Sequence, residues 1–278
     1  MLITNDVALL TFVPFAILIL QMTGQEKRMI PVIVMQTIAA NLGSMLTPIG
    51  NPQNLYLYSM TGMGMGEFVV AMAPLAVISF VVMLAVLIFW KNEPVLLEMG
   101  QAEPFRFGKE GIFYTALFFC CMAAVMKLIP HCVMTVVVFA AVLLCDRKAF
   151  CKPDYALLAT FVCFFVFIGN IQRIEPVRQM LERVIAGREL TTAVAASQVI
   201  SNVPAAVLLS GFTEEVKSLL YGTNIGGLGT LIASLASLIS YEFYVRLPGA
   251  SKAAYLRCFT GWNLLFLAVL YGTAMMLL

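Results

Sequence analysis

The chain has 278 residues, 61% hydrophobic and 12% charged, with a formal net charge of +2 and a mean hydropathy of +0.94. A soluble domain carries about a quarter charged residues, so this composition excludes one and specifies an integral membrane protein with the lipid bilayer as its partner. Long apolar runs exclude an outer-membrane barrel, and so small a net charge leaves no nucleic-acid partner to expect.

The first apolar run, Leu2 to Met22, is interrupted in its first half by Thr4, Asn5, Asp6 and Thr11. A polar tripeptide at the start of a span has nothing before it to carry the chain into the bilayer. The native protein is therefore expected to begin upstream, an N-terminally truncated form of something longer. No cleavable signal peptide is read, because the run lacks a basic start. After a charged loop at Gln25 to Arg28, a second run enters the membrane at Met29 and meets N-L-G-S-M-L-T-P-I-G-N-P-Q-N, Asn41 to Asn54. Pro48 and Pro52 lack an amide proton, and Gly43 and Gly50 loosen the backbone. The helix is expected to unwind there. Freed backbone groups inside a bilayer are tolerated only where protein or a water-filled cavity satisfies them, so this stretch reads as the wall of a polar site at mid-membrane depth.

Leu55 to Met60 completes the crossing and Phe68 to Trp90 makes the next. Lys91 to Glu110 is the longest polar segment, and it divides the chain into residues 1–90, a cytoplasmic connector at 91–111, and residues 112–278. Spans follow at Ile112 to Leu128, Val133 to Cys145 and Tyr155 to Ile171. Gln172 to Arg188 alternates charges with apolar residues at helical spacing, the pattern of a helix lying along the membrane surface. Leu190 to Phe212 is interrupted by Ser201, Asn202, Val203 and Pro204, and each arm is too short to cross a core that needs about 20 residues. It reads as a re-entrant hairpin. Tyr221 to Tyr241 is a glycine-interrupted span and Tyr255 to Leu278 the last. Basic loops at residues 25–28, 91–109, 146–152 and 246–257 fall on one side by alternation, which makes that side cytoplasmic. The seven cysteines form no CxxC pair, and the single histidine, His131, sits at a turn. Neither suggests a metal centre. Asn170 and Asn263 read as groups that hydrogen-bond between helices, while Gln53 and Asn54 face either the site or a neighbouring helix.

Two polar elements recur in the same order. Thr4-Asn5-Asp6 precedes the break at Asn41, and Ser201-Asn202-Val203 precedes a break at Asn224. Asn41, Gly43, Thr47, Ile49 and Asn51 align without a gap to Asn224, Gly226, Thr230, Ile232 and Ser234. An odd number of crossings separates the copies, so the second is inverted relative to the first. The fold class expected is an all-α integral membrane protein, an inverted-repeat transporter with re-entrant hairpins and broken transmembrane helices. Half-helix amino ends suit an anion; carbonyl, amide and hydroxyl oxygens suit a hard cation such as sodium. The candidate substrate- and ion-binding residues are Thr4, Asn5, Asp6, Asn41, Gly43, Thr47, Pro48, Gly50, Asn51, Ser201, Asn202, Pro204, Asn224, Gly226, Thr230 and Ser234. Asp6 is a carboxylate expected at membrane depth, read either as the proton- or cation-coupling group or as a structural hydrogen-bonding one. No resident cofactor is expected; Na+ or H+ would serve as coupling ion. With no HExxH, no GxSxG and no histidine near Asp6, no enzyme is read.

The segments TNDVALLTFVPF, NLGSMLTPIGNPQN, FFVFIGNIQRI and SQVISNVPAAVLLSGF resemble the ion transporter superfamily that contains citrate transporters, sodium-coupled dicarboxylate symporters, arsenite permeases and some sodium/proton antiporters. The resemblance implies hairpins tipped by Thr4-Asn5-Asp6 and Ser201-Asn202-Val203, broken helices at Asn41 to Asn54 and Asn224 to Ser237, a plasma-membrane location, and a homodimer in the full-length form. It implies secondary transport of a small anion, such as a di- or tricarboxylate, coupled to Na+ or H+. Neither tip is a complete Ser-Asn-Thr, and Asn5-Asp6 is similar to the Asn-Asp pair of the arsenite-permease and antiporter branch. The alternative it implies is therefore arsenite, metalloid or Na+/H+ efflux.

Overall fold

The structure, a computed structural model, describes residues 4–90, 108–153, 155–171 and 173–278, and every regular element among them is helical. The part of the expected connector at 91–107, like residues 1–3, lies outside them. Among the described residues four helical runs are long and apolar enough to cross a bilayer: α1 (Asn5–Met22), the run Glu26–Leu46 that contains α2 (Met29–Gly43), α4 (Met65–Ile88) and, near the end of the chain, Lys252–Leu277. Together they make a multi-pass protein of the cell membrane. Their outer faces carry large apolar side chains such as Phe12, Phe15, Val70 and Phe80, as lipid contact requires.

The larger of two compact units comprises residues 1–97 and 163–278. Besides α1, α2 and α4 it holds α3 (Pro52–Thr61), and the smaller unit, residues 98–162, holds α5 (Lys109–Val125) and α6 (His131–Cys145). In the smaller unit the Tyr114 hydroxyl donates to Asp146, just past the end of α6, and this bond holds the Asp146 carboxyl below the usual carboxylate range. Helix α7 (Tyr155–Ile171) crosses the boundary. The larger unit resumes with α8 (Glu175–Ile185), α9 (Glu189–Ile200), α10 (Asn202–Leu209), α11 (Val216–Gly226), α12 (Leu235–Val245) and α13 (Lys252–Leu277). On α8 the Arg178–Glu182 ion pair lies one helical turn apart, and Met180 and Val184 are exposed, the two-faced character its alternating sequence predicts.

Packing in the larger unit follows small residues. Gly222 and Gly226 form a GxxxG pair on α11, and a Cβ on either would meet Ala193 Cβ at 2.5 Å or Ser197 Oγ at 2.6 Å on α9. Small residues spaced in this way let two helix backbones approach closely in a membrane. Helix α1 packs against α2 and α12, while α10 packs against α9, α3 and α11. Tyr221, Tyr255, Phe68, Phe259 and Phe266 fill the core.

Both expected breaks are present. Helix α2 ends at Gly43; a short turn (Ser44–Leu46), an extended Thr47, a second turn (Pro48–Gly50) and an extended Asn51 lead into α3. Helix α11 ends at Gly226, and an extended Thr230, a turn (Leu231–Ala233) and an extended Ser234 lead into α12. The helix ends at Gly43 and Gly226, the extended residues, the turns Pro48–Gly50 and Leu231–Ala233 and the starts of α3 and α12 recur at a spacing of 183 residues (226 − 43, 234 − 51). The prolines act differently from the expectation. Pro48 and Pro52 open the piece that follows them, where a missing amide costs nothing and a fixed φ helps. The departure from helix itself lies at Thr47 and Asn51. Pro14 and Pro74 sit inside α1 and α4 without ending them.

Gly50 is required by space. A Cβ there would lie 1.9 Å from the Ser44 carbonyl oxygen, a backbone atom that cannot rotate away, whereas one on Gly66 meets nothing within 4 Å. Gly50→Ala is therefore expected to lower the thermal unfolding midpoint by several degrees or to abolish folded protein, while Gly66→Ala stays within about 0.5 kcal/mol of the parent; thermal scans of the detergent-purified variants measure both.

Candidate functional site

The site is built from helix ends. Asn5 opens α1 behind an extended Thr4, whose Oγ1 accepts from the Val7 amide at 3.5 Å. Its Nδ2 donates to Asn41 Oδ1 at 3.1 Å, in the last turn of α2. The same oxygen accepts from Ser234 Oγ at 3.0 Å, the residue just ahead of α12. In the last turn of α11, Asn224 Oδ1 accepts from Asn51 Nδ2 at 2.9 Å, and its Nδ2 donates to Asn54 Oδ1 at 2.6 Å and to Leu220 O at 2.7 Å. Asn41 and Asn224 hold matching places in the two breaks, as do Asn51 and Ser234. Each helix-end asparagine thus bonds the extended residue of the other break.

Side chains also satisfy the unwound backbone. Asn54 Nδ2 donates to Met45 O at 3.1 Å and Thr47 O at 3.4 Å, and Ser44 Oγ donates to Asn41 O at 2.8 Å. Asn51 caps α3 through a bond from the Asn54 amide at 3.0 Å and donates to Ser44 Oγ at 3.1 Å. In the second break one residue of α9 takes this part. Gln198 Nε2 donates to Gly226 O and Leu228 O, each at 2.9 Å, and its Oε1 accepts from the Thr230 amide at 2.9 Å. The Thr230 hydroxyl returns a bond to Gln198 O at 3.1 Å. Freed carbonyls that a bilayer could not solvate thus find donors within the protein.

The hairpin tip is strained. Ser201, between α9 and α10, has φ 74° and ψ 156°, a conformation that is essentially glycine's and costs a side-chain-bearing residue about 1–3 kcal/mol. Its hydroxyl donates to Ala233 O at 3.4 Å. Asn202 is buried beside the second break, its Nδ2 3.0 Å from where a Cβ on Gly227 would stand.

Of the residues expected from sequence, Asn5, Asn41, Asn51, Asn224 and Ser234 are brought into direct contact, with Ser201, Asn202 and Thr230 on the adjoining loop. Gly226 packs on α9, and Pro48 and Gly50 shape the backbone. Pro204 lies in the first turn of α10. Gly43 stands apart from the polar network, exposed on an apolar cavity of about 500 Å³ between α2 and α4. Asp6 is half-buried in the first turn of α1, and its carboxylate accepts no hydrogen bond among the described residues. Gln53 and Asn54 are buried, and Asn54 proves integral to the network. Asn170 and Asn263 each donate to a carbonyl four residues back in their own helix, Val166 O and Phe259 O, in place of the interhelical bonds expected. Sequence reasoning passed over Ser44 and Gln198; an amide three residues ahead of a hairpin tip was the available signal for Gln198.

Four helix amino ends, those of α1, α3, α10 and α12, and three carboxyl ends, those of α2, α9 and α11, are joined by these side chains. The amino ends and amide donors favour an anion, and the carbonyls exposed by unwinding favour a hard cation. No cluster of His, Cys, Asp or Glu capable of holding a metal occurs among the described residues. Removing either member of the Asn51–Asn224 pair strands a buried amide, at a cost of roughly 1–3 kcal/mol each. Asn51→Ala and Asn224→Ala are expected to be non-additive, with a coupling energy of roughly 0.5–3 kcal/mol in a double-mutant cycle read by denaturant titration.

The sequence matches a known family and known proteins over most of its length. The family profile described as citrate transporter matches residues 1–217. An uncharacterized transporter of Methanocaldococcus jannaschii is 36% identical over 242 residues, 86% of this chain and 66% of the relative. The inner membrane protein YbiR of Escherichia coli is 32% identical over 251 residues, 86% of this chain and 64% of the relative. The chain thus spans slightly less than two thirds of the length of these relatives. The matched family and the first of these relatives are described as transporters, not enzymes. A match over most of its length means that the chain belongs to the citrate transporter (CitMHS) family, within the ion transporter superfamily.

Proposed function

We propose that the two breaks and their tips form an inverted repeat, and that the protein is a secondary active transporter moving a small anion, such as a di- or tricarboxylate, coupled to Na+ or H+. The observation that carries this reading is the exchange of partners between copies: Asn51 bonds Asn224, and Ser234 bonds Asn41. Swapping the copies converts one contact into the other, as a pseudo-two-fold axis through the site requires. Broken helices meeting about such an axis are the usual substrate and ion site of secondary transporters. On this reading residues 1–90 belong to the first repeat, 112–278 form the second, and the segment between them is a cytoplasmic connector. The full-length protein would work as a homodimer.

In this scheme the amino ends of α1, α3, α10 and α12 receive the anion, and Thr4, Asn5, Thr47, Ser201, Asn202 and Thr230 supply oxygens to the cation. Asp6 is the coupling group. Its place in the first turn of a membrane-spanning helix, with no described partner for its carboxylate, leaves it able to exchange a proton or a sodium ion. The same feature favours a second reading, arsenite, metalloid or Na+/H+ efflux, in which Asp6 serves outward exchange.

The test is uptake of labelled citrate by proteoliposomes containing the full-length protein, under an imposed Na+ or H+ gradient. Gradient-dependent uptake is expected, and Asp6→Asn should weaken the dependence by roughly 5- to 150-fold, the usual range of coupling between two ligands. Uptake indifferent to both gradients would exclude coupled transport. Arsenite or sodium resistance conferred on cells, without citrate uptake, would select the second reading.

A further inference from the structure

The two breaks follow a matching backbone course, and one of the side-chain differences between them, Asn54 against Ser237, leaves polar atoms unmatched. In one half Asn224 Nδ2 is satisfied twice, by Leu220 O and by Asn54 Oδ1. At the same spacing of 183 residues, the counterpart of Asn224 is Asn41 and that of Asn54 is Ser237 (224 − 41 = 237 − 54). Asn41 Nδ2 and Ser237 Oγ are both buried and both without a partner among the described residues. Asn41 is 4% exposed and Ser237 0%. Two of the few unsatisfied polar atoms in the larger unit therefore fall where the other copy has an amide–amide hydrogen bond.

The surroundings of both atoms are set by neighbouring hydrogen bonds. Ser234 Oγ touches Asn41 Oδ1, and Ser237 follows Ser234 by one turn on α12, so it lies along the same side of that helix. A serine ends one bond short of an asparagine and does not reach as far as Asn54. A buried helical serine usually donates to the carbonyl four residues back, as Ser240 does to Ala236 O at 3.2 Å. For Ser237 that carbonyl belongs to Ala233, which accepts from the tip residue Ser201 at 3.4 Å. Asn41 cannot turn its amide around either, because its Oδ1 is fixed by the donors Asn5 Nδ2 and Ser234 Oγ.

We propose that Asn41 Nδ2 and Ser237 Oγ together bind one small oxygen ligand that takes the place of the Asn54 carboxamide. The chemistry is that of an acceptor oxygen: Nδ2 can only donate, which excludes a cation, and the serine hydroxyl can donate to or accept from the same atom. Two sources supply such an oxygen. One is a buried water, the usual partner of paired unsatisfied groups in an interior; the other is an oxygen of the transported anion, an arm that rests on the transport reading above. Either makes the second half of the site depend on an exchangeable bridge where the first half has a covalently tethered one.

The sign of one substitution decides. An unbridged buried hydroxyl is a desolvation penalty, and deleting it raises stability; a hydroxyl bonded to a bound oxygen is lost at a cost. For the purified full chain, Ser237→Ala is expected to lower the thermal midpoint by roughly 2–4 °C, the response to a loss of this kind in a chain of this size. A midpoint unchanged or raised both without citrate and with it overturns the proposal. Repeating the scans with citrate separates the sources. If citrate raises the midpoint of the parent and of Ser237→Ala equally, the bridge is water; if the citrate shift is lost in the variant, the oxygen is the anion's. Should citrate shift neither protein, citrate fails as the transported anion, and the sign of the Ser237→Ala effect without it still decides the bridging site.

Discussion

A helix that unwinds inside a bilayer releases carbonyls and amides that no lipid can solvate, and this constraint governs the larger unit. The protein meets it twice with side-chain amides. Asn54 serves the first loop and Gln198 the second, while Asn41 and Asn224 bridge from one to the other. Neither break is satisfied by its own residues alone. Each completes the other, and the pair is more rigid together than either loop could be apart.

Interdependence of this kind fits a site that must hold its shape yet contain irregular backbone. The GxxxG face of α11 brings α9 close enough for Gln198 to reach the loop beyond Gly226. That proximity fixes the strained tip at Ser201 beside Ala233. Backbone strain is retained only where its surroundings over-determine it. Here a tight helix pair on one side and a hydrogen-bonded turn on the other supply that constraint.

Much of this was legible in the sequence. The glycines, prolines and amides between Asn41 and Asn54 could not be an uninterrupted span, and the ungapped likeness to residues 224–234 anticipated a second break with matching pieces. The amphipathic pattern after Gln172 and the short arms around Ser201 were readable from periodicity and length alone. What could not be read was who bonds whom. The exchange of partners between Asn51 and Asn224 spans 173 residues, and no local pattern encodes it. The prolines misled in detail because a residue that cannot continue a helix is equally suited to begin one. Asn170 and Asn263 looked interhelical because their own backbone is invisible to composition, yet a carbonyl one turn back is always within reach.

The two loops also differ in stiffness. Between Gly43 and α3 the chain carries Pro48 and one glycine, Gly50, and ends at Pro52, whereas between Gly226 and α12 it carries two, Gly227 and Gly229, and no proline. Prolines limit the conformations open to a loop, and glycines multiply them. The second loop keeps its shape largely through Gln198, so that one amide acts as a buckle. Undoing it would free three backbone groups at once while the proline-braced side stays put, and any reshaping of the centre would begin on the α11 side and end there.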